Sequence, residues 1–224
     1  MLEKLKKLIE DAQKKAALAA ANSINTARFN HPLAEQTDWH PMKGGGANFA
    51  THYLDSSNPD FLTFKATKGA YVFSLIFAFF GLLGMGIPLA IFFTEGMEEW
   101  GLIFFAVAFG GIFLAVGLMA FHFMTMPRVF DTFYGCYYKG RKKPIHDFES
   151  ESKHAITHLS DVKAIQVLRE RVRGKNSSYY SYEINLVLHD ASRINVIDHG
   201  KQETVCNDAQ TLATTLGVPL WDAS

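Results

Sequence analysis

The middle of this 224-residue chain lacks charge. Between Lys68 and Arg128 the only acidic or basic side chains, histidine aside, are Glu95, Glu98 and Glu99. The chain is also short of cysteine, having only Cys136 and Cys206, far apart in sequence. That excludes a disulfide-stapled scaffold and leaves two reduced thiols as the expectation. An excess of either charge is missing too, with 22 basic and 22 acidic residues, so nothing in the balance points to nucleic acid as a partner. The N-terminus, MLEKLKKLIEDAQKK, has no continuous apolar core of the secretory kind, so membrane insertion is expected to be directed from further along the chain. The motifs that announce common chemistries are absent. There is no G-x-S-x-G, no H-E-x-x-H, no C-x-x-C and no phosphate-loop G-x-x-x-x-G-K-[ST].

What fills the uncharged middle is two apolar runs, at about 71–93 and 101–124, joined by TEGMEEW. Each is long enough to cross a bilayer core, which takes roughly 20 helical residues. The expectation is a transmembrane hairpin over 70–126. Lys65 and Lys68 precede it, and Arg128, Lys139, Arg141, Lys142 and Lys143 follow it, whereas the link carries acids and no base. The positive-inside rule then places both termini in the cytoplasm of a bacterial inner membrane, with Trp100 anchoring the outer boundary.

The rest of the chain is read from its periodicity. Residues 1–22 carry Leu2, Leu5, Leu8, Ile9, Ala12 and Ala16 at helical spacing among lysines, giving an amphipathic helix that lies on anionic lipid or packs on protein. Residues 23–48 are expected to be an irregular linker, with Gly44–Gly46 as a flexible stretch. Residues 49–67 read as strand, turn and strand. A lone hairpin is marginal in water, so it is expected to join the sheet that follows the membrane. Within the spans, Gly86 and Ala90, Ala106 and Gly110, and Gly111 and Ala115 are small pairs four apart that let helices approach, either within the hairpin or in assembly. Pro88 should kink the first span or mark its outer part. His122 lies near the cytoplasmic end of the second, where its side chain reaches the interface.

From residue 128 to 224 the period becomes that of strands, ending in a helix with Val205, Ala209, Leu212, Ala213 and Leu216 on one face, Gly217 as its stop and Pro219 beyond. In SYYSYEINLVLH, one face carries Tyr180, Tyr182, Ile184, Leu186 and Leu188. The fold class is therefore α+β: a two-helix transmembrane hairpin and an antiparallel β domain closed by a C-terminal helix. The succession "VFD…G…YYKG", "HLSDVKAIQVL", "YEINLVLHD", "RINVIDHG" and "LATTLGVPL" resembles bacterial membrane proteins with a pleckstrin-homology-like domain. It is similar in layout to the photosystem I assembly factor family, from which residues 1–64 depart, and no photosynthetic role is carried over. The resemblance implies a curved sheet of about seven strands closed by a helix, in proteins that act as scaffolds, assembly factors or binding modules.

Candidate chemistry is sparse. His154 and His158 share a face, with His146 or His52 as a conceivable third metal ligand, yet no ligand motif accompanies them. Asp198 and His199 are adjacent and point to opposite faces of a strand, a poor dyad. Cys206 is expected to pack beside Val205. The basic residues carry more. Lys139, Arg141, Lys142 and Lys143 follow the membrane closely, and Arg169, Arg171 and Arg173 alternate along a strand, with Glu170 between them and Lys175 in the turn beyond. Juxtamembrane bases attract anionic headgroups at about 1 kcal/mol each. The sequence thus predicts a non-enzymatic membrane scaffold without cofactor or metal. Its partners are membrane lipids and another membrane protein or itself; lipid sensing through the basic residues is the first alternative and a metal-binding sensor built on His154 and His158 the second.

Overall fold

The computed structural model describes residues 11, 24–42, 44–96, 100–142, 156–173 and 177–224. The helix expected over 1–22 lies outside them but for Asp11, as do Lys143, Lys175, His146 and His154. The chain divides into two units, one of residues 1–64 with 128–224 and one of residues 65–127.

The second unit is a hairpin of two apolar helices, α2 (Lys68–Glu95) and α3 (Trp100–Met124). Thr67 caps α2, its side chain accepting the Ala70 amide at 3.3 Å. Gly96, with φ of 67°, ends it in the left-handed conformation that glycine adopts without strain. Pro88 sits inside α2, which continues past it to Glu95. The two helices meet over Gly81, Gly110 and Gly117. A β-carbon on Gly81 would lie 2.3 Å from the Leu114 nitrogen, and one on Gly117 would lie 2.3 Å from the Ala78 nitrogen. On Gly110 it would lie 2.7 Å from the Met85 nitrogen. These obstacles are backbone atoms, so any side chain there would push the helices apart. Ser74 is fully buried in the seam, where its hydroxyl donates to the Ala70 carbonyl at 2.9 Å. The outward faces are apolar but for Lys68 and Thr94 near the ends of α2 and His122 near the end of α3.

The first unit holds two sheets. In one the strand order is β1 (His52–Asn58), β2 (Phe61–Ala66), β3 (Arg128–Asp131), β4 (Cys136–Lys139), β5 (Ile156–His158), and β2 through β5 pair antiparallel in turn. The β2–β3 ladder runs from Phe61↔Asp131 to Phe64↔Arg128, so strands 62 or more residues apart in sequence are neighbours, with the helical hairpin inserted between them. The other sheet is ordered β8 (Arg193–His199), β7 (Ser178–Leu188), β6 (Val162–Arg173), β9 (Leu220–Ala223). Helix α4 (Gln202–Leu216) buries Val205, Ala209, Leu212 and Ala213 in a core shared by both sheets, with Leu62, Phe64 and Phe130 from one and Ile165, Val167, Ile184 and Leu186 from the other. Gly217, φ 66°, stops α4, and the Val218 amide closes back on the Ala213 carbonyl at 3.0 Å.

Two expectations are corrected. The segment after α4 is not a tail on an all-antiparallel domain. Pro219 cannot continue the helix, and the chain turns to lay β9 parallel to β6, with Ile165↔Leu220 through Leu168↔Ala223 in register. The reason is Trp221, only 1% exposed, which gains a buried site by this route. Nor is the stretch expected as a linker over 23–48 separate from the domain: its described residues 24–42 and 44–46 hold a 3-10 turn (Thr26–Phe29), a short helix α1 (Pro32–Gln36) and a strap, irregular as expected, laid on the sheet face opposite α4. His31 caps α1, its Nδ1 accepting the Leu33 amide at 3.1 Å, and Pro32 supplies the preset first helical residue. Trp39 is buried, stacked on Phe29 with centroids 4.9 Å apart and 6.0 Å from the Trp221 ring. Its indole N–H donates to the Ala34 carbonyl at 2.9 Å. Ala34, Trp39, Ala164, Leu168, Val187 and Trp221 make a second, smaller core there.

Candidate functional site

Beside that second core the covered face turns polar. Alternation along β7 sends Ile184 and Leu186 to the α4 side and Glu183 and Asn185 to the strap side. Gln166 on β6 and Asn195 on β8 join them, and all four are buried. A bulge between Ile184 and Asn185 inserts Val196 on β8, so that both Val196 and Ile197 reach the main core while Asn195 still faces Asn185. Asn185 donates to Glu183 Oε1 at 2.8 Å and to Gln166 Oε1 at 3.2 Å, and Asn195 donates to Asn185 Oδ1 at 3.3 Å.

The strap is tied to this face by its backbone. Gln166 Nε2 donates to the Asp38 carbonyl at 3.1 Å. The Met42 amide donates to both Glu183 oxygens, at 3.0 and 3.1 Å. The Gly45 and Gly46 amides donate to the two oxygens of Glu170 at 2.9 and 3.1 Å, and Tyr179 Oη donates to the Gly46 carbonyl at 2.9 Å. A β-carbon on Gly46 would lie 2.3 Å from Ser181 Oγ, so glycine is what lets the strap come this close. The flexible Gly44–Gly46 stretch expected from sequence is thus a docked one. Arg193, its side chain 6% exposed, reaches up from β8 to Asp38 Oδ2 (2.8 Å), the His40 carbonyl (2.7 Å) and Gln166 Oε1 (3.1 Å). His40 Nδ1 contacts Asp38 Oδ1.

Burial pushes the Glu183 carboxyl up to about 7. The Asn185 and Met42 hydrogen bonds and Arg193 act in the opposite direction, while Asp198 adds to the rise. Asp38 moves the other way and is held below the usual range. Its own partial burial, a rise, is outweighed by its bonds from His40 and by Arg193. Two carboxyls of one network are therefore driven apart, and among the described residues no cation makes an ion pair with the buried one.

A second polar chain closes the other side of β8. Arg128 donates from Nε to the Val196 carbonyl at 3.0 Å and from Nη1 to His52 Nε2. A guanidinium has only donors, so His52 Nε2 carries a lone pair and the proton sits on Nδ1, 3.0 Å from Thr51 Oγ1. Thr51 in turn donates to the Asp198 carbonyl. His52 is engaged in this relay. His158 is exposed on β5. Among the described residues no group of three or more His, Cys, Asp or Glu could hold a metal ion. His199 is buried on β8 and accepts the Lys201 amide through Nδ1 at 2.9 Å. Cys206 is half-buried and has polar neighbours. Its sulfur lies 3.7 Å from Asp222 Oδ2 and 3.6 Å from Ser224 Oγ, because β9 brings the polar C-terminus beside it.

The basic residues fall into two groups with different partners. Lys139 donates to the Asn195 carbonyl on the β8 edge and serves as a tie between the sheets. Arg141 and Lys142 lie exposed beyond β4. Arg169, Arg171 and Arg173 are exposed on one face of the far half of β6, where that face has run past the core. Arg169 lies over the Tyr180 ring at 5.1 Å, and Arg171 Nη2 is 3.5 Å from Ser178 Oγ. Glu170 does not interrupt them, since it is on the opposite face holding the strap. In the hairpin, Gly110 lies in the interhelical seam, and a β-carbon on Gly111 would lie 3.9 Å from Met85 Sδ. Ala106 is half-buried. Gly86 has open space about it, and Ala90 and Ala115 are exposed.

The strap site was missed in the sequence because its parts are polar residues at alternate strand positions, which read as a solvent face. The one available signal was aromatic: Trp39 in an otherwise polar linker and Trp221 in a C-terminal tail, both costly to leave in water. No family model, no curated protein and no solved structure matches this chain.

Proposed function

We propose that this chain is an integral membrane scaffold whose helical hairpin anchors a pleckstrin-homology-like domain at the cytoplasmic face of a bacterial inner membrane, where it docks another protein or a second copy of itself. One observation carries the reading. Between their ends the outward faces of α2 and α3 are apolar, with Phe93 80% exposed, Phe104 77% and Phe105 65%. Soluble monomers rarely expose contiguous apolar patches beyond a few hundred Å², and transfer of each such side chain out of water is worth about 1.5–3 kcal/mol. A bilayer supplies that environment. The basic residues on both flanks support the cytoplasmic orientation. Two sheets closed by a C-terminal helix support the pleckstrin-homology-like reading, with the strap and β9 as additions to it.

The reading predicts that the chain stays in the membrane pellet after alkaline carbonate washing. Gentle detergent extraction should then recover it with a stoichiometric partner or as an oligomer. Release by carbonate, or a clean monomer without partner, would reject it. The exposed arginine face of β6 favours a second reading, anionic-lipid sensing. Replacing Arg169, Arg171 and Arg173 by Ala in the full chain should abolish preferential retention of anionic over zwitterionic lipid after detergent extraction. Unchanged retention counts against lipid sensing.

A further inference from the structure

We propose that residues 38–42 and 44–46 belong to a proton-controlled cover over the polar face of β6, β7 and β8, held down while Glu183 carries a proton and loosened when it ionises. The cover rests on two carboxylates that differ in surroundings. Glu170 lies near the sheet's far end and takes the Gly45 and Gly46 amides. Glu183 is 3% exposed, and among the described residues its hydrogen-bond donors are neutral, the Met42 amide and the Asn185 side chain. Arg193 acts on it through its charge, while its own hydrogen bonds go to Asp38, the His40 carbonyl and Gln166. The other titratable groups facing this network among the described residues are Asp38 and His40 from the strap, Glu170 from β6, Tyr179 from β7 and Asp198 from β8. Asp198 adds negative charge beside Glu183.

An ionised carboxylate in this place gains two hydrogen bonds and loses its hydration, and the loss is the larger effect. Opening the strap returns water to Glu183, so the open state binds the proton less tightly than the closed one. Proton binding therefore favours closure. The folded carboxyl sits at about 7 against an ordinary 4.5. The closing contribution is full below the ordinary value and is lost as pH rises through the folded one. Release uncovers Gln166 and Arg193, which in the closed state donate to the Asp38 and His40 carbonyls, with Asn185 and Asn195 beside them.

The test is hydrogen exchange on the full chain in detergent or nanodiscs, corrected for intrinsic rates, at the amides of Met42, Gly45 and Gly46. Opening in the native chain should rise roughly tenfold between about pH 6 and about pH 8 and then level off. Glu183→Gln should remove the pH dependence. Glu170→Gln, which weakens the cover without touching the buried carboxyl, should raise opening by the same factor at every pH. A flat native profile, or an undiminished slope in Glu183→Gln, overturns the proposal. Should Glu183→Gln fail to fold, the carboxyl ¹³C shift of Glu183 in the native chain decides. A midpoint near neutrality that coincides with strap opening upholds the proposal, and one near an ordinary carboxyl overturns it.

Discussion

Trp39→Ala tests whether the strap is a folded part of the domain or a linker lying on it. The indole is 6% exposed, stacks on Phe29 at 4.9 Å with planes 4° apart, and donates to the Ala34 carbonyl. Truncating a buried aromatic of this size costs about 3–5 kcal/mol, cavity included. The stacked pair and the indole hydrogen bond lie inside that range, at about 1 kcal/mol apiece. The loss is borne locally, because the strap can lift without unfolding the sheets, so global stability is a poor readout. Local opening is a good one. The Thr37 amide, which closes α1 on the Leu33 carbonyl at 2.9 Å, and the Met42 amide on Glu183 should both lose protection in hydrogen exchange. At about 1.4 kcal/mol per decade the loss is roughly 100-fold or more, ending where the strap is open most of the time. Amides in the middle of β7 should be unchanged. A loss below about fivefold at Thr37 and Met42 would mean that the indole does not hold the strap, since ordinary surface substitutions stay within about 0.5 kcal/mol.

Other outcomes follow from the same contacts. Gly81→Leu and Gly110→Leu should separate α2 from α3 and lower the thermal stability of the detergent-solubilised chain, because the displaced neighbours are backbone. Gly86→Leu, with open space around it, should be tolerated in the monomer; equal effects at all three sites would refute the seam. Asp208 on α4 accepts the Leu54 amide at 3.3 Å, and burial lifts its carboxyl to about 6 from an ordinary 3.8. Its raised affinity for the proton adds stability that is full below the ordinary value and lost as pH rises past about 6, so Asp208→Asn should flatten the melting-temperature profile across that window.

The elements legible in the sequence were those with a single period and a single environment. Both hairpin helices, the α4 face and its Gly217 stop, and the inward face of β7 came from spacing alone. What was illegible had two environments at once. β7 is buried on both faces, yet the strap-side residues Glu183 and Asn185 are polar, so alternation assigned them to water. Their partners, Asp38 through Gly46, are distant in sequence and bind chiefly through backbone amides, which leave no side-chain pattern. The parallel strand β9 was hidden for a related reason. Four residues are too few to show a period, and only the buried Trp221 marks them. The glycines of the hairpin seam were visible as a surplus, but which of them face the partner helix depends on a register that composition does not contain.

The β2–β3 ladder allows the insertion itself to be tested. Phe64 and Arg128 are directly paired, although the whole second unit, Lys65–Pro127, lies between them. Paired residues of an antiparallel ladder have α-carbons about 4.5–5.5 Å apart. The two ends of the hairpin therefore start as neighbours, a constraint that an even number of antiparallel helices meets and an odd number does not. It also means the β domain needs nothing from the hairpin to close its own sheet. Replacing Lys65–Pro127 by Asn-Gly leaves two residues between a directly paired Phe64 and Arg128, the loop length that type I′ hairpins use. The core contributed by Leu62, Phe64 and Phe130 is retained. The shortened chain should be water-soluble without detergent. It should melt cooperatively and keep exchange protection in β6, β7 and the strap like that of the full chain. Aggregation during purification, or loss of protection across β2 and β3, would show that the hairpin is part of the domain's folding unit and not an insertion in it.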